Sequence, residues 1–170
     1  CTSPHTWKPP SDPPVPVQTL IGWALDQPVR PSGLVISGGE PLDQAEGVQA
    51  LLTAFRTQVP GAETVLYTAW ELPALRAQHA ALLDVLDVVI AGRYQRALPA
   101  TPLAGSANQS VHLLMDRARQ AYADWPQWPR HQLQVFPKNG GLVAVGIPPV
   151  PRLRAVRQVQ QVQRRAKVTP

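Results

Sequence analysis

Val35-Ile36-Ser37-Gly38-Gly39-Glu40-Pro41 runs from an apolar segment into two glycines, a carboxylate and a proline. Leu34, Val35 and Ile36 make a short buried strand. The paired glycines permit a tight turn whose bare backbone approaches a ligand with no Cβ in the way. Pro41 ends the turn and suits the first position of a helix, where its missing N–H costs nothing. Val48, Leu51, Leu52 and Phe55 then recur at helical spacing. The unit reads as strand, glycine turn, helix. Steric need at the end of a strand also explains a Gly-Gly turn, so the motif alone does not establish a ligand site.

Reading outward, Val17 to Asp26 carries Leu20, Ile21, Trp23, Ala24 and Leu25 and predicts a helix that Pro28 stops. A helix is expected from about Asp43 to Gln58, a turn at Pro60-Gly61, a strand over Thr64–Tyr67, a helix from Leu72 to Leu83 and a strand over Asp87–Ile90. Alternating strands and helices argue for parallel βα units with right-handed crossovers. Ligands gather at the carboxyl ends of strands in such folds. Ser37-Gly38-Gly39-Glu40, Thr68 and Gly92-Arg93 all fall at those ends, which points to one shared site. Beyond residue 97 the pattern loosens into a loop, followed by a strand at Val111–Leu114 and a helix at Met115–Trp125. A hairpin is expected from His131–Phe136 and Leu142–Val145 around Lys138-Asn139-Gly140-Gly141.

The chain has 170 residues, 44% of them hydrophobic, and a formal charge of +5, which is long enough for one domain with its own core. The excess charge sits in residues 151–170, where Arg152, Arg154, Arg157, Arg164, Arg165 and Lys167 have no acidic neighbour. The other 150 residues hold 10 basic and 11 acidic side chains, so the distribution argues against nucleic acid as the main partner. We therefore divide the chain into an α/β domain over 1–150 and a basic tail over 151–170. Within the tail, Leu153, Val156, Val159 and Val162 form a drifting apolar stripe. Proline is frequent, 20 residues in all against a typical ~5%, and the six within the first sixteen positions make residues 8–16 an extended, stiff connection. A single cysteine, Cys1, builds no disulfide framework and suits a reducing compartment, the cytoplasm. No apolar run approaches membrane-spanning length. His5, His79, His112 and His131 are scattered without metal-ligand spacing.

Set beside the glycine turn, Cys1-Thr2-Ser3-Pro4-His5-Thr6-Trp7 completes a pattern. A cysteine followed by x-x-Pro-x-Thr-Trp, with Ser-Gly-Gly-Glu-Pro about thirty residues later, resembles the radical S-adenosyl-L-methionine (SAM) enzymes that activate anaerobic ribonucleotide reductase. The resemblance continues through Leu66-Tyr67-Thr68, Asp87-Val88-Val89-Ile90-Ala91-Gly92-Arg93-Tyr94 and Gly105-Ser106-Ala107-Asn108-Gln109. It implies a partial (β/α) barrel of radical SAM type, here followed by the β-hairpin and basic tail. It also implies a 4Fe-4S cluster held by three cysteines at C-x3-C-x2-C spacing, with SAM chelating the open iron. One electron from the cluster then cleaves the sulfonium to give a 5′-deoxyadenosyl radical. Thiolates match iron and sulfide as soft ligands.

By the same resemblance Cys1 is a cluster ligand, the last of the three, and two cysteines and a first strand are expected upstream of it. Ser37, Gly38, Gly39 and Glu40 would hold the amino group of SAM, with charge-assisted hydrogen bonds from the amine. Glu40 equally suits the start of a helix, where the macrodipole favours a carboxylate. Thr68 would bond the cofactor or satisfy a strand-end backbone group. Arg93 and Asn108 join the cofactor-binding set, with Gln109 near the mouth; an Asx-type turn is the rival explanation for Asn108. Family members commonly carry Asp-Gly-Lys where this chain has Ala91-Gly92-Arg93, so the positive charge persists and the carboxylate does not. The implied partners are a glycyl-radical protein such as an anaerobic ribonucleotide reductase, and a reductant such as flavodoxin or ferredoxin. The alternative is a cluster-less adaptor with a basic tail that binds a partner or nucleic acid.

Overall fold

Hydrophobic residues alternate between the two sides of a short, twisted sheet and decide how its layers pack. In the computed structural model the described residues are 13–129 and the strands Gln134–Lys138 and Gly141–Val145. Cys1, the connection up to residue 12 and the tail over 151–170, with its apolar stripe, lie outside the described residues. The chain divides into two units, Cys1–Pro126 and Gln127–Pro170.

In the first unit the order is α1 (Val17–Leu25), β1 (Gly33–Ile36), a 3₁₀ turn (Pro41–Gln44), α2 (Ala45–Gln58), β2 (Glu63–Thr68), α3 (Leu72–Gln78), α4 (Ala80–Leu83), β3 (Val88–Ala91), β4 (Ser110–Leu113) and α5 (Asp116–Ala121). The four strands form one sheet in the order β1-β2-β3-β4. The first three are parallel and β4 runs antiparallel to β3. That reversal follows from the connection over 92–109, which carries no crossover helix to return the chain to the starting edge.

Register assigns the faces. Leu34, Ile36, Leu66, Val89 and Ala91 point to one side and meet Leu52, Leu72, Leu75 and Leu82 from the helices and Leu86 from the turn before β3. Val65, Val88 and Ile90 point to the other and pack with Ala104, Ala118 and Tyr122. Each fully buried Leu or Phe in these layers contributes roughly 1.5–3 kcal/mol. A third cluster, Ile21, Phe55, Val59 and Ala62, fastens α1 to α2. Gly33 lets β1 lie close to β2, since a Cβ there would fall 2.9 Å from the Glu63 carbonyl oxygen.

Several expectations are refined. The helix expected over Leu72–Leu83 is two, interrupted at His79 (φ −136°, ψ 39°). Leu75 and Leu82, on either side of the interruption, are both buried in the core. The helix expected from Asp43 begins as a 3₁₀ turn at Pro41 and continues as α2 from Ala45. The one expected over Met115–Trp125 is shorter, Asp116–Ala121, followed by a 3₁₀ turn at Trp125–Gln127. The architecture is mixed α/β around a four-stranded sheet. Among the described residues the sheet is open: β1 and β4 are its outer strands, with no barrel closure. Val35, on the face away from α2, α3 and α4, is 62% exposed. No helix among the described residues is long and apolar enough to cross a membrane.

In the second unit, β5 (Gln134–Lys138) and β6 (Gly141–Val145) pair antiparallel, with Lys138 opposite Gly141. That is the expected hairpin, with its first strand shifted towards the turn.

Candidate functional site

The site is built where β1, β2 and β3 end. Gly38 sits at φ +135°, a backbone conformation that excludes most side chains, and a Cβ placed there would meet nothing within 4 Å. The glycine turn therefore borders open space. After it, extended Glu40 (φ −99°, ψ 111°) caps the 3₁₀ turn that Pro41 opens. Glu40 Oε1 accepts from the Leu42 N–H at 3.1 Å and from the Thr68 hydroxyl at 2.7 Å, while Oε2 accepts from the Ala69 N–H at 2.7 Å. This one carboxylate joins the loop after β1 to the loop after β2. Of its roughly four lone-pair directions, three are filled by the protein and one on Oε2 remains.

Thr68 is 4% exposed. Its hydroxyl donates to Glu40 and accepts from the Trp70 N–H at 3.1 Å. Its carbonyl, with that of Trp70, receives the Gly92 N–H at 3.1 and 3.0 Å. The loop after β2 is in this way fixed to the loop after β3. Gly92 holds φ +109°, and a Cβ on it would lie 3.2 Å from Glu71 Oε1. The turn thus requires glycine for its dihedral, while the Glu71 side chain could move aside.

A pair of amides secures the next link. Gln109 Nε2 donates to the Gly92 carbonyl at 2.8 Å, and Asn108 Nδ2 donates to the Arg93 carbonyl at 2.9 Å. Gln109 Oε1 accepts from the Ser106 N–H at 3.1 Å, and Ser106 Oγ accepts from the Gln95 N–H at 3.0 Å. Tyr67, whose phenol burial pushes upward in pKa, donates to the Leu103 carbonyl at 2.9 Å. The connection over 92–109 is therefore an Ω-like loop closed at its neck. The structure brings Glu40 and Thr68 into direct contact and ties Asn108 to the backbone of Arg93. Ser37, Gly38 and Gly39 are joined to this network through Glu40. Cys1 lies outside the described residues, among which no group of three His, Cys, Asp or Glu side chains could hold a metal ion.

Sequence reading did not anticipate the opposite end of the sheet. Asp87, fully buried, accepts from Arg117 Nε at 2.5 Å and Nη2 at 2.6 Å, and from the Thr64 N–H at 2.8 Å and hydroxyl at 3.0 Å. Burial pushes this carboxyl up, but the Arg117 hydrogen bonds, those of Thr64 and the guanidinium charge outweigh it. The net effect holds Asp87 below the usual carboxylate range. The available signal was an acid immediately before an apolar strand, where a charge persists only with a partner. At the β4 edge, His112 Nε2 and Ser110 Oγ share a hydrogen bond at 2.8 Å. Burial, then the Arg76 charge, lowers the His112 pKa against the opposing pull of Glu71.

The model of a family described as a 4Fe-4S single cluster domain matches residues 1–112, the span that contains the glycine turn and all three parallel strands. The chain is 30% identical over 99 residues to an anaerobic ribonucleoside-triphosphate reductase-activating protein of Haemophilus influenzae, covering 56% of this chain and 64% of the relative. It is 33% identical over 97 residues to the protein of that name from Vibrio cholerae, covering 55% and 63%. With the Salmonella typhimurium protein of that name it shares 28% over 121 residues, 67% and 79% of the two chains. The chain thus spans a little under two thirds of the first two relatives. No solved structure matches it significantly.

Proposed function

We propose that this chain, which belongs to the 4Fe-4S single cluster domain family, works as a radical SAM activase of an anaerobic ribonucleotide reductase, an oxidoreductase that installs a glycyl radical on its partner. The observation that carries the reading is the glycine turn, open at Gly38 and locked by Glu40 to the end of the neighbouring strand. Relatives at 30% and 33% identity are named for activating an anaerobic ribonucleoside-triphosphate reductase.

The residues present fit an amino-acid moiety carrying a cation. Backbone carbonyls of Ser37, Gly38 and Gly39 and the remaining lone pair of Glu40 would accept from the amine. Arg93 offers a cation for a carboxylate, and Asn108 keeps its Oδ1 as an acceptor. Thr68, with its hydroxyl engaged on both sides, serves the site by orienting Glu40. When bound, cluster and SAM supply one-electron cleavage of the sulfonium. Cys1 supplies one thiolate, and the reading requires two more from sequence preceding it. It also entails a partial (β/α) barrel, with the open sheet as one part of its wall. The catalytic domain would extend over 1–150 with the tail over 151–170 as an appendage, in a cytoplasmic protein reduced by flavodoxin or ferredoxin.

The test is anaerobic reconstitution of the complete gene product with iron and sulfide. Dithionite and SAM should then yield 5′-deoxyadenosine, and added reductase should acquire a glycyl-radical doublet in its electron paramagnetic resonance spectrum. A complete protein that acquires no iron-dependent absorbance on reconstitution and yields no 5′-deoxyadenosine would sink the proposal and leave the adaptor reading.

A further inference from the structure

We infer that the exposed rim of the Ω-like loop, Tyr94 to Leu98, is the docking surface for an acidic, extended polypeptide segment of the protein that receives the radical. The inference rests on the proposed function and adds a recognition surface to it. Residues 93–99 are exposed without interruption, while the flanking positions Ala91, Gly92, Ala104 and Ser106 are buried. The loop stands on a fixed neck, held by the Gln109, Asn108 and Ser106 bonds, so its outer residues are presented by a preorganised support. That lowers the ordering cost of binding.

The chemistry of the rim is specific. The stretch 92–109 contains Arg93 and Arg96 and no Asp or Glu. Among the described residues the salt bridges are Arg117–Asp87 and Arg119–Asp116, so neither guanidinium has a carboxylate partner. Tyr94, 41% exposed, lies over Gly105, where a Cβ would come within 3.1 Å of its ring. Arg96 and Ala97 occupy a turn closed by the Leu98 N–H and the Gln95 carbonyl at 3.1 Å, and Leu98 is 37% exposed. With Arg93 assigned to the cofactor, the unpaired Arg96 beside an aromatic ring and an aliphatic side chain suits a carboxylate flanked by apolar anchors.

A polynucleotide is the rival for an Arg and Tyr surface, and the surrounding charge disfavours it. Residues 13–129 carry seven arginines, no lysine and ten acidic side chains, so a phosphate backbone extending beyond the loop would meet a net negative body. A short acidic segment confined to the rim meets no such repulsion. The neck lies directly against the Thr68 and Trp70 carbonyls through Gly92. A segment held there is thereby delivered to the carboxyl ends of the strands.

The experiment measures association of the complete holoenzyme with the anaerobic reductase of the same organism, by anaerobic stopped-flow fluorescence at 50 and 500 mM salt. Arg96→Glu should slow association about five- to tenfold at low salt, with the difference shrinking at high salt. Arg96→Lys should restore most of the rate, and Leu98→Ser should speed dissociation. Cleavage of SAM without the reductase should proceed at the wild-type rate in all three variants. An unchanged association rate for Arg96→Glu, or no association by the wild type, overturns the inference. So does Arg96-dependent binding of a 20-nucleotide single-stranded DNA that exceeds binding of the reductase. Failure of the wild type to cleave SAM refutes the activase reading instead, whatever the association rates show.

Discussion

Replacing Glu40 by Gln tests whether its carboxylate acts as the latch between two strand-end loops. The carboxylate receives two backbone N–H groups, from Leu42 and Ala69, and one hydroxyl, from Thr68. An amide has one oxygen. If it faces Ala69, its NH2 group lies against the Leu42 N–H, donor against donor, although the rotatable Thr68 hydroxyl adapts. One backbone bond is lost and the charge assistance of the others disappears. Hydrogen bonds to charged groups contribute about 1.5–3 kcal/mol each, and the partial exposure of Glu40 places the net cost at about 2 kcal/mol. With a urea slope of about 2 kcal/mol/M, the unfolding midpoint should fall by about 1 M. Amide exchange at whichever of Leu42 and Ala69 loses its acceptor should quicken roughly 30-fold, the equivalent of 2 kcal/mol. Exchange that matches the wild type at both Leu42 and Ala69 would refute the latch. Unchanged stability with lost SAM binding would place the Glu40 contribution wholly on the ligand.

Asp87→Asn should lower stability at pH 7 by about 2–3 kcal/mol, below the 3–5 kcal/mol of a fully buried broken pair because Arg117 is 38% exposed and solvent screens it. The Asp87 pKa is depressed in the folded protein. Its contribution is therefore complete above the unfolded value of about 3.9 and vanishes as pH falls through the folded value. Urea midpoints measured from pH 7 down to pH 2 should show an acid-side loss in the wild type that is smaller in Asp87→Asn; parallel profiles would contradict this assignment. Gly92→Ala forces φ +109° on a residue with a Cβ and should cost about 1–2 kcal/mol. The melting temperature should drop by about 2–8 °C, and an unchanged value would mean that the turn relaxes.

Much of the parallel part of the fold is legible along the chain because its signals are local. An apolar triplet at 34–36, a glycine pair, Pro41 and helical spacing through Phe55 specify one βα unit, and the pattern repeats through Ile90. Periodicity is a property of neighbours in sequence. The closeness of Ser37–Glu40, Thr68 and Arg93 was likewise readable, since parallel strands put their carboxyl ends on one side.

Tertiary structure decided what long-range partners decide. The sequence offered Glu40 as a ligand for a cation or as a helix-start residue. Only the packing of β1 beside β2 shows it spending three acceptor directions on Leu42, Thr68 and Ala69. Asn108 and Gln109 were legible as amides near a mouth, but their grip on the Arg93 and Gly92 carbonyls, respectively, spans 15 and 17 residues of sequence. Asp87 and Arg117, 30 residues apart, become one half-buried ion pair because α5 folds back over the sheet. The direction of β4 and the openness of the sheet belong to the same class. Local sequence dictates which backbone conformations are cheap, whereas the pairing of donors and acceptors follows from which strands the folded chain sets side by side.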